Sequence, residues 1–268
     1  MTLLRRGTAI CAGLILTTAL AIAILGPLLA EHLVSSPATR TVTSPYASAA
    51  DHPLLGADYL GRDVVARLLA GGWALVVIPI VAVVLAEACG ALIGVWLAQA
   101  PRLRQVPRYV LDVILVVPPA VSLLIVLTAS GTNPLGMILL VLTISLPFVS
   151  RYFQSLAAPL VSAGFVEAAR ARGDSTTRIV VTEILPNLIV PIVSDIGLRF
   201  VGAVYLVATA SFLGASALGD DPNWAAMVQH NSAGLSLNVW AVAAPAIMIA
   251  AVTIPANLLA DMYLERRQ

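Results

Sequence analysis

Long apolar runs separated by short charged segments organise the chain. Six runs come close to or exceed the ~20 residues that a membrane-crossing helix needs: 8–30, 73–99, 109–130, 134–153, 188–213 and 237–260. Each holds few charges, so the pattern predicts an all-α, polytopic membrane protein with six transmembrane helices. Pro27, Pro79, Pro118, Pro119, Pro147, Pro191, Pro245 and Pro255 interrupt these runs. Membrane helices accommodate such residues as kinks when neighbouring groups satisfy the freed carbonyls. Residues 1–72 read as one helix plus an outer segment with an amphipathic helix. Residues 73–268 read as a five-helix core that carries a polar loop at 154–187.

Composition supports that reading. The chain is 59% hydrophobic and 11% charged, against roughly 25% charged in soluble domains. Lipid must therefore be the solvent for much of its surface. A net charge of +1 argues against a nucleic-acid partner. Cys11 and Cys89 lie inside apolar runs and read as small core residues, not as a disulfide. Lysine is absent from the whole sequence. The phosphate-binding loop of ATPases requires a lysine after its glycines, so this chain cannot supply that loop. No cofactor is expected on it, and any ATP that drives it must bind elsewhere.

Arginine placement predicts the topology. With the N-terminus inside, Arg5, Arg6, Arg102, Arg104, Arg108, Arg151, Arg170, Arg172, Arg178, Arg266 and Arg267 fall in cytoplasmic segments, and only Arg40, Arg62 and Arg67 fall outside. That bias follows the positive-inside rule and puts both termini in the cytoplasm. The first run follows Arg5-Arg6 as a secretory signal would. It is nevertheless longer than a signal's apolar core and has no clean cleavage triplet, so it reads as an uncleaved helix.

The outer segments carry their own patterns. Residues 35–50 are rich in Ser, Thr, Pro and Ala and read as extended or mobile. From Gly61 the spacing of Val64, Val65, Leu68 and Leu69 predicts an interfacial amphipathic helix, with Asp63 and Arg67 paired one turn apart. His52 has no neighbouring ligands that would make a metal site. In the second run Ala86, Gly90, Gly94 and Ala98 form a small-residue ladder that admits a close helix, in this chain or another. Trp73 and Trp96 suit the two membrane interfaces. In the last outer loop, 214–236, Asp221 before Pro222 is a helix-start signal, and Trp224 would anchor that helix at headgroup level. Asp221 and Trp224 are candidates for an outer gate or a binding-protein contact.

Four ionisable residues lie in or beside the apolar runs: Glu87, Asp112, Asp195 and Arg199. Such groups usually face a bundle interior or a water-filled path. Asp195 with Arg199, and Arg108 with Asp112, have the spacing of intrahelical ion pairs. Internal pairing is the favoured expectation, and a polar translocation path is the alternative. Glu87 has no partner nearby in sequence, so it either pairs across helices or is protonated. The second option keeps a proton-coupled secondary transporter open as a rival class.

One polar island stands out, residues 167–186, EAARARGDSTTRIVVTEILP. Residues 165–172 favour a short helix, which Gly173 can end. Glu167 near its start and Arg170 and Arg172 near its end suit the helix dipole. Ala168 and Ala169 leave the backbone nearly bare, so that another protein's cleft can close on it. A second helical stretch follows from Thr176 to Leu185, and Pro186 marks return to the membrane.

The island resembles the EAA motif of binding-protein-dependent ABC importer permeases, with Glu167, Ala168, Ala169, Gly173, Leu185 and Pro186 in the matching places. The stretch from His52 to Asp63, Arg108 to Asp112 with Pro118, Ser211 to Gly214, and Pro222 to Met227 also resemble segments of one such family. That family is the second permease subunit of dipeptide, oligopeptide and nickel importers. Ala225 and Asn223 depart from it where Gly and Ser are common, as does the extra Leu after Pro53; all three changes fall on the substrate side. The resemblance implies a type I ABC importer permease fold in a bacterial cytoplasmic membrane. It also implies a sister permease, two ATPase subunits that hold ATP and Mg, and an extracytoplasmic solute-binding protein. This chain would do no covalent chemistry. Glu167, Ala168, Ala169, Arg170, Arg172, Gly173, Leu185 and Pro186 would form the ATPase-docking loop. Di- or oligopeptides are the expected cargo, with nickel, metallophore or haem-like compounds as alternatives in the same class.

Overall fold

The computed structural model describes residues 3–33, 37–49, 54–99, 105–130, 133–213 and 222–265. The helices run in the order α1 (Leu3–Leu33), α2 (Val64–Ala70), α3 (Trp73–Gln99), α4 (Gln105–Val116), α5 (Pro119–Ser130), α6 (Pro134–Val161), α7 (Gly164–Ala171) and α8 (Thr176–Ile179). A π-helical turn, Val180–Ile184, joins α8 to α9 (Leu185–Phe212). Then come α10 (Trp224–Asn231), a 3-10 turn at Ser232–Gly234, and α11 (Trp240–Glu265). Apart from two isolated bridges, no β-structure occurs among the described residues. Five helices there are long and apolar enough to cross a membrane, and six if one bent pair counts as a single span. The chain is a multi-pass membrane protein.

The third run, expected over 109–130 with a kink at its prolines, is a sharply bent pair of helices. Pro107–Val116 and Pro119–Val126 meet at 101°. A single proline removes one ladder bond, and Pro79, Pro147, Pro159, Pro191, Pro245 and Pro255 all sit inside unbroken helices. Two in succession act differently. Pro118 and Pro119 delete adjacent N–H donors, and Pro119 drives its predecessor out of the helical region. The ladder stops at Val117, whose N–H reaches Ile114 O at 3.1 Å, and restarts when Val121 N donates to Pro118 O at 2.9 Å.

Other boundaries also shift. α6 begins where Asn133 Oδ1 accepts from Gly136 N at 2.8 Å and Pro134 occupies the first turn. It runs to Val161, past the expected end at 153, so the first part of the 154–187 loop is helix. At the other side of that loop, helix is continuous from Thr176 to Phe212.

Two hydrophobic clusters stack along the bundle. The first holds Ala19 and Ala23 of α1, Val64 of α2, Ala74 to Val83 positions of α3, Leu140 and Val141 of α6, Val204 and Val207 of α9, and Trp224. Helices α1 and α2 thus share a core with the rest of the bundle. The second holds Ala86, Ala91 and Val95 of α3, Val149 and Phe153 of α6, and Val166, Ala169, Ile179, Ile184 and Leu188. The small-residue ladder of α3 finds its partner within this chain, on α6. A Cβ on Gly90 would meet the Val149 side chain, and one on Gly94 would lie 2.6 Å from Ser150 O and 2.8 Å from Gln154 N. Cys11 and Cys89, expected in the core, are exposed free thiols on the bundle's outer surface.

Residues 37–49 and 54–63 form a cap over one end. In place of the extended or mobile chain expected over 35–50, the described residues run through turns and bends and are pinned: Val42 N donates to Gly61 O at 2.9 Å, Tyr46 N to Asp58 O at 2.9 Å and Ala57 N to Ala47 O at 3.0 Å. His52 lies outside the described residues. Asp58 is the hub of the cap and is wholly buried. Its Oδ1 accepts from Leu60 N and Arg62 N, and its Oδ2 lies 2.8 Å from Arg62 Nε and 3.3 Å from Arg67 Nε. The expected Asp63–Arg67 pair does not form. Asp63 instead caps α2, accepting from Val65 N at 2.7 Å and Ala66 N at 3.2 Å. With Val64, Ala66 and Arg67 all buried, α2 is an internal strut, not an interfacial amphipathic helix. A helix of seven residues has little room for a polar side once α1 and the cap enclose it.

Candidate coupling loop and intramembrane charge cluster

At the opposite end from the cap, α7 and α8 form the polar island. Gly173, at φ +83°, ends α7 in the left-handed conformation that favours glycine. Its N–H donates to Arg170 O at 3.0 Å, and Asp174 N–H donates to Ala169 O at 3.1 Å. This pair of bonds is a Schellman motif, which satisfies carbonyls that a helix end would otherwise leave open. Ser175 then starts α8, with Oγ accepting from Arg178 N at 3.3 Å. Arg172 ties the two pieces together, 3.2 Å from Asp174 and 3.6 Å from Glu183, while Arg178 lies 3.5 Å from Asp174.

The island has two faces. Val166 and Ala169 are buried in the second cluster, against Phe153, Ala157, Ile179 and Ile184. Ala169 therefore seats α7 on its own chain, and only Ala168 of the alanine pair lies bare; a helix this short buries whichever side the body offers. Phe165, Glu167, Ala168, Arg170, Arg172 and Gly173 are exposed. Glu167 and Arg170 form no ion pair among the described residues. Leu185 and Pro186 lie beyond α8, where they open α9; Leu185 packs against the second cluster and Pro186 is exposed. The turn before them is π-helical, which makes room where the Pro186 ring would clash with the carbonyl four residues earlier.

Within the bundle, Glu87, Arg199 and Asp195 come together. Arg199 Nε lies 3.1 Å from Glu87 Oε1 across α3 and α9, and it also donates to Asp195 Oδ2 one turn away on α9. Glu87 is 1% exposed. Its sequence-distant partner is thus supplied by another helix, the first of the two expectations for this residue. Asp195 and Arg199 also line an open groove of about 360 Å³ with Ser145, Phe148 and Gly202.

Asp112 is elsewhere. The expected Arg108–Asp112 pair is replaced: Asp112 accepts from Arg151 Nε of α6 at 2.9 Å, and Arg108 Nη2 donates to Leu97 O at 3.0 Å. Helix α4 lies against α6, so a fork from α6 reaches Asp112, while Arg108 serves the end of α3 where carbonyls lack partners. Sequence reasoning missed Arg151 as a binding partner; its position inside an apolar run, beyond its value for topology, was the available signal.

Asp221 lies outside the described residues. Trp224, expected at headgroup level, is fully buried in the first cluster. Its Nε1 donates to Leu68 O at 2.7 Å, and Gly72 passes so close that a Cβ there would lie 2.5 Å from the indole. The ring has a polar handle that needs a partner wherever it is buried, and the end of α2 provides one. Asn223, not Asp221, caps α10, accepting from Ala225 N at 2.9 Å and Ala226 N at 3.4 Å. Asn223→Ala should cost about 1 kcal/mol, seen as a lowered thermal midpoint with normal membrane insertion.

Comparison with known proteins agrees with this architecture. The family model described as binding-protein-dependent transport system inner membrane component matches residues 90–268. The di/tripeptide transport system permease protein DppC of Pseudomonas aeruginosa (strain UCBPP-PA14) is 26% identical over 209 residues, 78% of this chain and 69% of the relative. Peptide transport system permease protein SapC of Escherichia coli O6:H1 is 30% identical over 208 residues, 77% of this chain and 70% of the relative. The dipeptide transport system permease protein DppC of Alkalihalophilus pseudofirmus is 26% identical over 251 residues, 92% of this chain and 81% of the relative. A match across most of the bundle, including the polar island and α9 to α11, assigns the chain to a family: it belongs to the inner membrane components of binding-protein-dependent transport systems.

Proposed function

We propose that this chain is one of two permease subunits of an ATP-driven importer of di- or oligopeptides, with α7 as the handle that an ATPase subunit holds. The carrying observation is the two-sided seating of α7. One side is locked by Val166 and Ala169 into a cluster shared with α3, α6 and α9, and the other presents Phe165, Glu167, Ala168 and Arg170 to a partner. A groove closing on that exposed side would move the bundle, because the buried side cannot slide without disturbing packed residues. The arginine bias supports an orientation with α7 and both termini in the cytoplasm, and the cap facing the solute-binding protein. ATP and Mg belong to the partner ATPases, since this chain has no lysine for a phosphate loop. The relatives named for peptide transport favour peptides over nickel chelates, metallophores or haem-like compounds. The permease itself is a two-state element whose equilibrium ATP biases.

Glu167→Lys and Gly173→Pro test the handle. Both should insert at normal levels. Each should lower ATPase co-purification by about tenfold or more, as losing about 1.4 kcal/mol of docking energy would, and peptide uptake should fall with it. Normal co-purification and uptake in both variants would remove the handle from α7.

A further inference from the structure

The charge cluster occupies a particular level of the bundle. On α3 the first hydrophobic cluster ends at Val83 and the second begins at Ala86, next to Glu87. On α9 Leu188 and Ile192 pack with the second cluster, and Ile196, Phe200, Ala203 and Val204 with the first. Asp195 and Arg199 lie among these residues, where one cluster gives way to the other. The trio therefore lies at a waist where the two clusters meet, one half bearing the cap and the other bearing α7. Closely packed interiors move as units, so relative motion of the halves is taken up at the level where they meet.

Arg199 at this waist serves two carboxylates with unequal consequences. Its contact with Asp195 is made along a single helix and persists however α9 moves. Its contact with Glu87 spans α3 and α9, and it is the one ion pair joining those helices among the described residues. Both Glu87 oxygens are buried without a hydrogen bond, although Oε1 lies 3.1 Å from Arg199 Nε. The pair is close but poorly aligned. A tie of this kind is sensitive to small displacements, because a buried carboxylate interacts strongly with its counter-ion and gains nothing from water when parted from it.

We propose that the waist is the hinge of the transport cycle and that the Glu87–Arg199 pair is its positioning tie, holding the α7 half against the cap half in one of the two states. Asp195 acts differently, keeping Arg199 neutralised and oriented on α9 while the Glu87 contact is released. Movement imposed on α7 reaches α9 through Ile179, Ile184 and Leu188, and so arrives at Arg199. This proposal rests on the importer reading, and it assigns the coupling of that importer to a site within the membrane.

The test uses the complete complex, with sister permease, ATPases and solute-binding protein, in lipid nanodiscs. ATP hydrolysis is measured with and without liganded binding protein. Glu87→Gln keeps the side-chain shape and should yield an assembled complex. Its basal hydrolysis should rise and its stimulation by binding protein should fall, changing the ratio by about fivefold or more, the low end of ordinary coupling between sites. Gly197→Ala, on α9 where no atom lies within 4 Å of a Cβ, should keep a ratio near that of the unaltered complex, because it leaves the tie between helices untouched. A merely structural role would reduce assembled complex without altering this ratio. If Glu87→Gln does not assemble, Glu87→Asp carries the test: it keeps the charge and widens the gap, so an intermediate ratio is expected and an unaltered ratio overturns the proposal. An unaltered ratio in assembled Glu87→Gln, or equal loss in Glu87→Gln and Gly197→Ala, also overturns it. Failure of the unaltered chain to give binding-protein-stimulated hydrolysis would instead defeat the importer reading.

Discussion

Asp58→Ala should be among the most damaging single changes in this protein. It would leave Arg62 and Arg67, 6% and 3% exposed, without the carboxylate that both approach. Removing one partner of a buried ion pair costs about 3–5 kcal/mol, because it takes a counter-ion from a charge that water does not reach. The same change also strips acceptors from Leu60 N and Arg62 N, so the turn that positions α2 loses its internal bonds. The expected result is a purified protein with a much lower thermal midpoint and early proteolytic cleavage within 37–63, while the α7 end remains protected. Asp58→Asn keeps an oxygen for the backbone donors and should recover part of the loss. Resistance of the Asp58→Ala cap to cleavage would show that the cap is held by α1 and α10 packing alone.

Gly94→Val should be comparably severe for a different reason. The obstacle to a Cβ at Gly94 is backbone, Ser150 O at 2.6 Å and Gln154 N at 2.8 Å, with Phe153 Cβ at 2.9 Å. Flexible ends of side chains can rotate away; the peptide groups of α6 cannot. The two helices must separate, and the destabilisation should reach or exceed the top of the usual range for overpacking, about 3 kcal/mol. Gly202→Val is the control, since no atom lies within 4 Å of a Cβ there. Thermal unfolding of the two variants in the same detergent makes the comparison. Equal midpoints would mean that α3 and α6 tolerate separation, contrary to their packing.

The apolar runs were legible in the sequence because lipid imposes one requirement on every spanning helix: enough consecutive apolar residues to cross it. The exposed part of the polar island was legible too, since Gly173 and the charges around it break a pattern that lipid otherwise enforces. Other features depended on contacts that no local pattern encodes. Trp224 suits an interface or a core equally well, and the carbonyl of Leu68 decides between them. Asp63 is a good cap and a good ion-pair partner for Arg67; the buried position of Asp58 settles which role it takes. Glu87 gave a correct warning that something must neutralise it, but its partner is on another helix. The tandem prolines signalled a bend without its size, because the angle depends on where α6 allows α4 and α5 to rest.

The π-helical turn at Val180–Ile184 fixes a phase relation between the loop and the span that follows it. Ile179 and Ile184 are both buried in the same cluster, although residues five apart would face about 140° away from one another in ordinary α-helix at 3.6 residues per turn. The wider turn absorbs the odd residue. Loss of a single residue from this stretch would set Ile179 and Ile184 four apart, about 40° in ordinary α-helix, so a regular helix could replace the turn and keep the same phase. Gain of a residue has no such outlet: it would rotate everything beyond the turn by about 100° relative to α8, carrying Arg199 off the face that meets Glu87 while α7 stayed seated. The stretch thus tolerates shortening by one residue better than lengthening by one, whereas Val181 and Thr182, both exposed, are replaceable in identity.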